Sequence, residues 1–402
     1  MTAENQKQTD HTDHEPLPIK TVKSALQHSI RKYILWGCAA LLVLGGGVGF
    51  WLNRQSNSPK NTNQQQTTET NQTSTPSEVA ANSLTLDPAK NYGNKYANGI
   101  LPVGDNNYST ASTKKGTVFL CRANFVPANQ AGAQTRGPWF IGTAQWDMNK
   151  KTMVDGSIDW QERLSVTVKD GKRILDTNNL PNHKTGIYPV RSTDEAYKYD
   201  RNPGTISSQS LVYTLDANPT YSAAPNCMGG EVGIMLTGVA LFNAFDAGGR
   251  DAGAWEVQDA CGGHPQNTGL YHYHTLSRCI QDVSVSTVIG YALDGFPITG
   301  PKVGNSSILT TDDLDECHGI TGSYTQDGKT ITGYHYVMTQ DFPYSVSCFR
   351  GKATTAPGQH RGGVSQQGGT GGQQQQVPPT TGQQAPSQGP ASPPHNPPSP
   401  PM

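Results

Sequence analysis

Three histidines spaced to share one ion define the chemistry open to this chain: His264, His272 and His274. His272 and His274 lie two apart in Tyr271-His272-Tyr273-His274, and side chains two apart on a strand point to the same face. A strand here therefore sets two imidazoles on one surface and Tyr271 and Tyr273 on the other. His264 precedes them across a glycine-bearing turn that can fold it back as a third nitrogen ligand. Three protein ligands leave an open position, as catalytic zinc or copper sites require. Asp259 is a candidate fourth ligand, or a partner that fixes one imidazole tautomer. His318, beside Cys317, and His335, between Tyr334 and Tyr336, are secondary candidates. The plainer alternative is that these rings pack against a disulfide and bond backbone groups through their ring nitrogens.

If an ion at this place activates water, Asp294 or Asp259 is the candidate base. Asp294-Gly295 ahead of Pro297 reads first as a turn. Asp246, Asp251 and Glu256 lie among glycines as oxygen ligands for calcium do, but their spacing departs from an EF-hand loop, and a solvated loop is the default reading. No Gly-x-Ser-x-Gly elbow, P-loop or dinucleotide fingerprint is present, so serine hydrolase, NTPase and nicotinamide chemistry lack support. The formal net charge is -1 and the isoelectric point is near 6.8. With no basic cluster to neutralise phosphates, nucleic acid is set aside as a partner.

The elements that must position these residues read as mainly β. Leu164 to Lys169 alternates apolar and polar, Asp170-Gly171 signals a hairpin, and Arg173 to Asp176 follows as the return strand. Further short candidates are Val118–Cys121, Ser210–Leu215, Gly238–Phe242, Tyr271–His274, Val288–Leu293 and Thr332–Val337, separated by Gly, Pro and Asn turns. The one competing helix is short, near Asp312 to Glu316. This pattern predicts a sandwich or distorted barrel with long loops. Cys121, Cys227, Cys261, Cys279, Cys317 and Cys348 are six cysteines in this region, a number that allows about 15 pairings. Proximity favours Cys261 with Cys279 and Cys317 with Cys348, which leaves Cys121 with Cys227. A zinc site built on cysteines lacks close Cys-x-x-Cys pairs.

Ahead of this region, Tyr33 to Leu52 carries no charge over the length, about 20 residues, that a helix needs to cross a hydrocarbon core. Trp36 and Trp51 mark its ends, and Lys20, Lys23, Arg31 and Lys32 precede it, which favours a cytoplasmic N-terminus. Phe50, Trp51 and Leu52 close the segment where a cleaved signal would place small residues, and most of the apolar run follows Cys38, unlike a lipoprotein box. The chain is thus expected to divide into a cytoplasmic segment (1–33), a transmembrane helix (34–52), a disordered polar linker (53–83), a periplasmic or extracellular domain (84–355) and a disordered Gly/Gln/Pro-rich tail (356–402). The lipid bilayer is then one partner. Gly45, Gly46, Gly47 and Gly49 would allow a second copy to approach as a homodimer.

Several segments together resemble the YHYH domain family, named for the tetrapeptide at 271–274. They are Cys261-Gly262-Gly263-His264, the tetrapeptide itself, Gly290 to Ile298, Tyr334-His335-Tyr336, Phe342-Pro343-Tyr344 and Cys348-Phe349-Arg350-Gly351. The resemblance is concentrated between about Cys227 and Gly351 and extends more loosely back to about Leu84. It implies the domain and no activity, because the family is defined by its motif. The second Tyr-His segment ends in Val337, so only one full tetrapeptide is present. The expected function is a membrane-anchored extracytoplasmic domain that holds a divalent transition metal, zinc or copper, and binds or processes an envelope or environmental ligand. The alternatives are a metal-dependent hydrolase of the cell envelope, or a non-catalytic interaction module whose histidines are structural.

Overall fold

The structure, a computed structural model, describes residues 84–357. The expected anchor, the linker and nearly all of the tail lie outside the described residues. Among the described residues no helix is long and apolar enough to cross a membrane.

The described residues form one large sheet and several small ones. In chain order the large sheet contains β1 (Glu231–Met235), β2 (Ala240–Phe242), β3 (Gly263–Pro265), β4 (Tyr271–Tyr273), β5 (Val288–Ala292), β6 (Pro297–Thr299), β7 (Gly319–Gln326) and β8 (Lys329–Val337). Across the sheet they run β3-β4-β2-β1-β5-β6-β8-β7. Neighbours are antiparallel except for β2 with β4 and β6 with β8, which are parallel. Every residue of β1 is buried, as is all of β5 but its first residue, so the centre of the sheet is covered on both faces.

A three-stranded meander packs beside it, formed by Leu164–Lys169, Lys172–Thr177 and Leu211–Asp216. Asp170 and Gly171 both take positive φ, 51° and 71°, which is the type I′ geometry that matches strand twist. Alternation in Lys172–Thr177 turns Arg173, Leu175 and Thr177 inward. Ile100–Pro102, Phe140–Ile141 and Gln145–Asp147 form another small sheet.

The fold is mainly β, as the patterning implies, but its sheets do not close into a barrel. The reason lies at the two edges, where irregular chain already occupies the outer bonding groups. On β7 the Leu86 N–H donates to Thr321 O at 2.8 Å and the Thr321 N–H to Leu84 O at 2.7 Å. On β3 the Asn202 side chain donates to Pro265 O at 3.0 Å. An edge satisfied in this way has no need of another strand. Helix is scarce among the described residues: one α-turn at Ala252–Trp255 and three 3₁₀ turns, one of them at Thr311–Asp313 where a short helix is expected.

Three cysteine pairs stand at disulfide distance, in the pairing that proximity favours. Cα–Cα separations are 4.8 Å for Cys121–Cys227, 5.2 Å for Cys261–Cys279 and 4.6 Å for Cys317–Cys348. The second pair closes a short loop around β3 and β4, the two strands that carry the histidines.

Candidate metal centre

Tyr271–Tyr273 is a strand, and its alternation sorts the tetrapeptide as expected. The tyrosines bond on one side of the sheet: Tyr271 donates to Asp259 Oδ2 at 2.8 Å, and Tyr273 Oη lies 3.2 Å from Thr237 Oγ1. His272 and His274 project from the other side. His264 stands directly opposite His272 in the antiparallel β3–β4 register, so it shares that face. The three rings converge, with centroids 4.4 Å apart for His264–His272, 4.9 Å for His272–His274 and 5.5 Å for His264–His274. Their ligand nitrogens all fall within 4.8 Å of one another.

A fourth group joins them. Asp251 caps the turn Ala252–Trp255 by accepting the Ala254 N–H, and the chain leaves that turn at Glu256 in an extended conformation. This exit aims Glu256 Oε2 to within 3.3 Å of both His264 Nε2 and His274 Nε2. Neither contact forms a hydrogen bond, and both Glu256 Oε2 and His264 Nε2 are buried without a bonding partner. Sequence reasoning places Glu256 with Asp246 and Asp251 as oxygen ligands of one loop, and the structure gives each a different partner. Asp246 pairs with Arg250 at 2.6 Å, and Asp251 accepts the Tyr344 hydroxyl at 2.6 Å.

Hydrogen bonds at the far ring nitrogens fix the tautomers. His272 Nδ1 faces Leu270 O at 3.2 Å, and His274 Nδ1 faces Asn243 O at 2.5 Å. A carbonyl only accepts, so both Nδ1 atoms carry the proton and both Nε2 atoms present lone pairs. Those two Nε2 atoms lie 3.1 Å apart. His264 is set differently. Asn202 Oδ1 accepts the Gly204 N–H at 2.9 Å, which turns Asn202 Nδ2 toward His264 Nδ1 at 3.2 Å. The amide donates, so the His264 proton sits on Nε2, facing Glu256.

Burial holds His264 and His272 well below the usual histidine range, helped by their neighbouring imidazoles, and it lowers His274 to about 4. Burial, with Asp246 and Asp200 nearby, raises Glu256 well above the usual carboxylate range. Phe242 caps the group with its ring centroid 4.3 Å from that of His272. The four side chains form the floor of a cleft of about 760 Å³, whose walls include Arg122, Phe125, Asn202 and Asn243.

Residues 212–309 match the family model of the YHYH protein. The chain carries a YHYH domain. No curated protein and no solved structure matches the chain. The matched stretch of the YHYH domain holds all four groups of the cluster and ends ahead of Asp315, His318 and His335.

The other expected site residues lie apart from this cleft. Asp259 accepts the Tyr271 hydroxyl and the N–H groups of Gly186, Cys261 and Gly263, which makes it a brace beneath β3 and β4. Asp294 accepts the Tyr336 hydroxyl at 2.7 Å and the Gly351 N–H at 2.9 Å. His318 bonds Thr339 at 3.0 Å, and His335 bonds Gly333 O at 3.2 Å. None of these four lines the cleft. Glu256 and Asn202 are the two members that sequence reasoning missed, since only the tertiary fold brings them to β3 and β4.

Proposed function

We propose that the YHYH domain binds a divalent transition metal, zinc or copper, at the floor of this cleft. His272 Nε2, His274 Nε2 and Glu256 Oε2 are the ligands, with the His264 Nε2–H beside them as a donor to a metal-bound group. The observation that carries the reading is the pair of buried, unprotonated Nε2 atoms facing each other across 3.1 Å. Two lone pairs so placed repel unless a cation lies between them, and burial disfavours a proton in that role. Glu256, whose carboxyl is held toward its neutral form by burial, would give up a proton to a bound divalent ion and then supply the negative charge that the ion needs. The cleft leaves the remaining coordination positions open to an exogenous group. That openness favours turnover over a purely structural ion, and it supports metal-dependent hydrolysis in the cell envelope as a second reading.

In this reading the domain stands outside the cytoplasm, held by the apolar segment Tyr33–Leu52, with the bilayer as its partner. Three cysteine pairs at disulfide distance support an oxidising compartment. The test is elemental mass spectrometry of the full chain purified without an affinity tag. Near-stoichiometric zinc or copper is expected, and His272→Ala with His274→Ala should remove it. A folded wild-type chain that neither carries nor takes up either ion would overturn the proposal.

A further inference from the structure

The large sheet contains the same construction twice. Val232, Gly233, Leu236, Gly238 and Leu241 of the β1–β2 hairpin recur, at a constant offset, as Ile289, Gly290, Leu293, Gly295 and Ile298 of the β5–β6 hairpin. Gly238 and Gly295 hold the two tips at φ of 86° and 90°, where a side chain would be strained. The hairpins meet along β1 and β5 with Ile234 opposite Tyr291, and Gly233 and Met235 opposite Ala292 and Gly290. The counterparts of each facing pair also face each other. Such a self-complementary register places a two-fold axis through the Ile234–Tyr291 pair.

The correspondence continues outward on both sides. Leu241 pairs in parallel with Tyr273, and Ile298 with Tyr336. Gly263 stands opposite Tyr273, and Gly319 opposite Tyr336. Asp259 and Asp315 each open a turn whose carboxylate accepts the N–H two residues on, at 2.9 Å for both Cys261 and Cys317. The next residue takes positive φ in both turns, 80° at Gly262 and 72° at His318. Tyr271 donates to Asp259 at 2.8 Å, and Tyr334 to Asp315 at 3.1 Å. His272 and His335 direct Nδ1 to the carbonyl two residues back, at 3.2 Å in both cases. Tyr273 reaches Thr237, and Tyr336 reaches the matching Asp294.

The two halves differ on the face where the ligands sit. Ile320 occupies the place of His264, and Val337 the place of His274. Both belong to an apolar cluster with Val285, Val303, Leu309 and Leu314, against which Leu86 and Tyr92 pack. His335 remains there with Nε2 buried and unpartnered.

We infer that β1–β4 and β5–β8 are two copies of one four-stranded unit. The first copy alone carries the ligand site; the matching face of the second keeps one of the three histidines, lacks the other two and the carboxylate, and is filled by core beneath the segment Leu84–Tyr92. Naming the site for a metal rests on the function proposed above; the equivalence of the two halves does not. Ile320→His with Val337→His, beside His335, rebuilds the three-histidine face, and Leu86→Ala makes room for the larger rings.

The experiment is cobalt(II) binding to the full-length triple variant, by equilibrium dialysis and visible absorption, with near-UV circular dichroism to report folding. One additional cobalt per chain is expected over wild type, and it should persist when His272→Ala and His274→Ala remove the first site. If wild type binds none while the variant binds one, the proposed function fails and the duplication stands. A folded variant that takes up no additional cobalt overturns the inference. Should the variant not fold, the reciprocal exchange decides. His264→Ile and His274→Val with Glu256→Gln turn the first copy into the image of the second, and this chain should fold with its melting midpoint unchanged or raised. A midpoint lowered by more than about 10 °C, the scale of a severe core mutation in a domain of this size, would overturn the inference.

Discussion

Metal-linked stability is the most direct test of the proposed site. A ligand that binds only the folded chain stabilises it by about 2.7 kcal/mol at 100 times its dissociation constant. For a domain of this size, each kcal/mol moves the melting midpoint by about 2–4 °C, so zinc at that excess should raise the midpoint by about 5–10 °C. The perturbation to compare is the full chain, first stripped with a chelator, against the same chain carrying His272→Ala and His274→Ala, each scanned calorimetrically with and without zinc. These rings are 4 % and 3 % exposed, so their truncation opens a cavity and lowers the metal-free midpoint by itself. The deciding quantity is therefore the zinc-dependent shift within each chain, not the difference between chains. The shift should be present in wild type and absent from the variant. Equal shifts in the two chains would place the binding elsewhere, and no shift in a stripped, folded wild type would refute the argument from facing lone pairs.

The remaining expectations follow from the same geometry. Because Asn202 sets the His264 proton on Nε2, His264→Ala should weaken zinc binding about tenfold, while His272→Ala or His274→Ala should weaken it at least about a hundredfold; calorimetric titration of the three single variants gives the order, and equal losses would show that the Asn202 contact does not govern the tautomer. Tyr271→Phe and Tyr334→Phe each strip one hydroxyl from a buried aspartate, so each should cost about 1–3 kcal/mol in denaturant unfolding, with metal stoichiometry unchanged in both. His318, lowered to about 3 by burial, binds fewer protons folded than unfolded at any pH between that value and its ordinary one. Its contribution to stability is complete above about pH 6.5 and falls by about 1.4 kcal/mol for each unit below, until the folded value is reached. His318→Asn tolerates the positive φ and removes this dependence, so its stability relative to wild type should rise as acid is added; a pH-independent difference would show that His318 is not buried neutral.

Much of this fold is written in local pattern. Alternation identifies the Leu164–Lys169 strand, the Asp170-Gly171 turn and the two-faced tetrapeptide, because each depends on neighbours within a few residues. The cysteine pairing is legible for a similar reason, since two of the three loops are short. Barrel closure is not legible. Whether a sheet closes depends on what meets its edges, and here those edges meet Leu84–Leu86 and Asn202, from distant parts of the chain. Glu256 is hidden by proximity of the wrong kind. Its sequence neighbours Asp246 and Asp251 suggest a shared oxygen site, whereas Arg250 and Tyr344 claim those two carboxylates and the short capped turn sends Glu256 to the histidines. The repeated Tyr-His-Tyr is visible by eye, but its meaning depends on the register that pairs Ile234 with Tyr291.

The second half of the sheet also bears on whether the histidines of the first half are structural. A structural role predicts rings whose nitrogens are satisfied by the protein; in the second half this backbone carries a face built mainly for packing, with Ile320 and Val337 inside an apolar cluster and one ring nitrogen, His335 Nε2, left without a partner. The first half has His264 and His274 at those two places, gathered with His272 and the carboxylate of Glu256, and leaves Glu256 Oε2 and His264 Nε2 without partners. Each unpartnered buried polar group costs about 1–3 kcal/mol, so the packed alternative is the more stable filling for an empty site. Asp259 and Tyr271 are excluded as the reason for the polar set, because Asp315 and Tyr334 make the same bond in the half without it. What distinguishes the halves is solvent access. The second face is closed by Leu86 and Tyr92, whereas the first opens into a cleft of about 760 Å³. Polar groups that destabilise the fold are grouped where the sheet is open and give way to Ile and Val where it is closed, which is the arrangement expected if the proposed ion enters from the cleft and satisfies them.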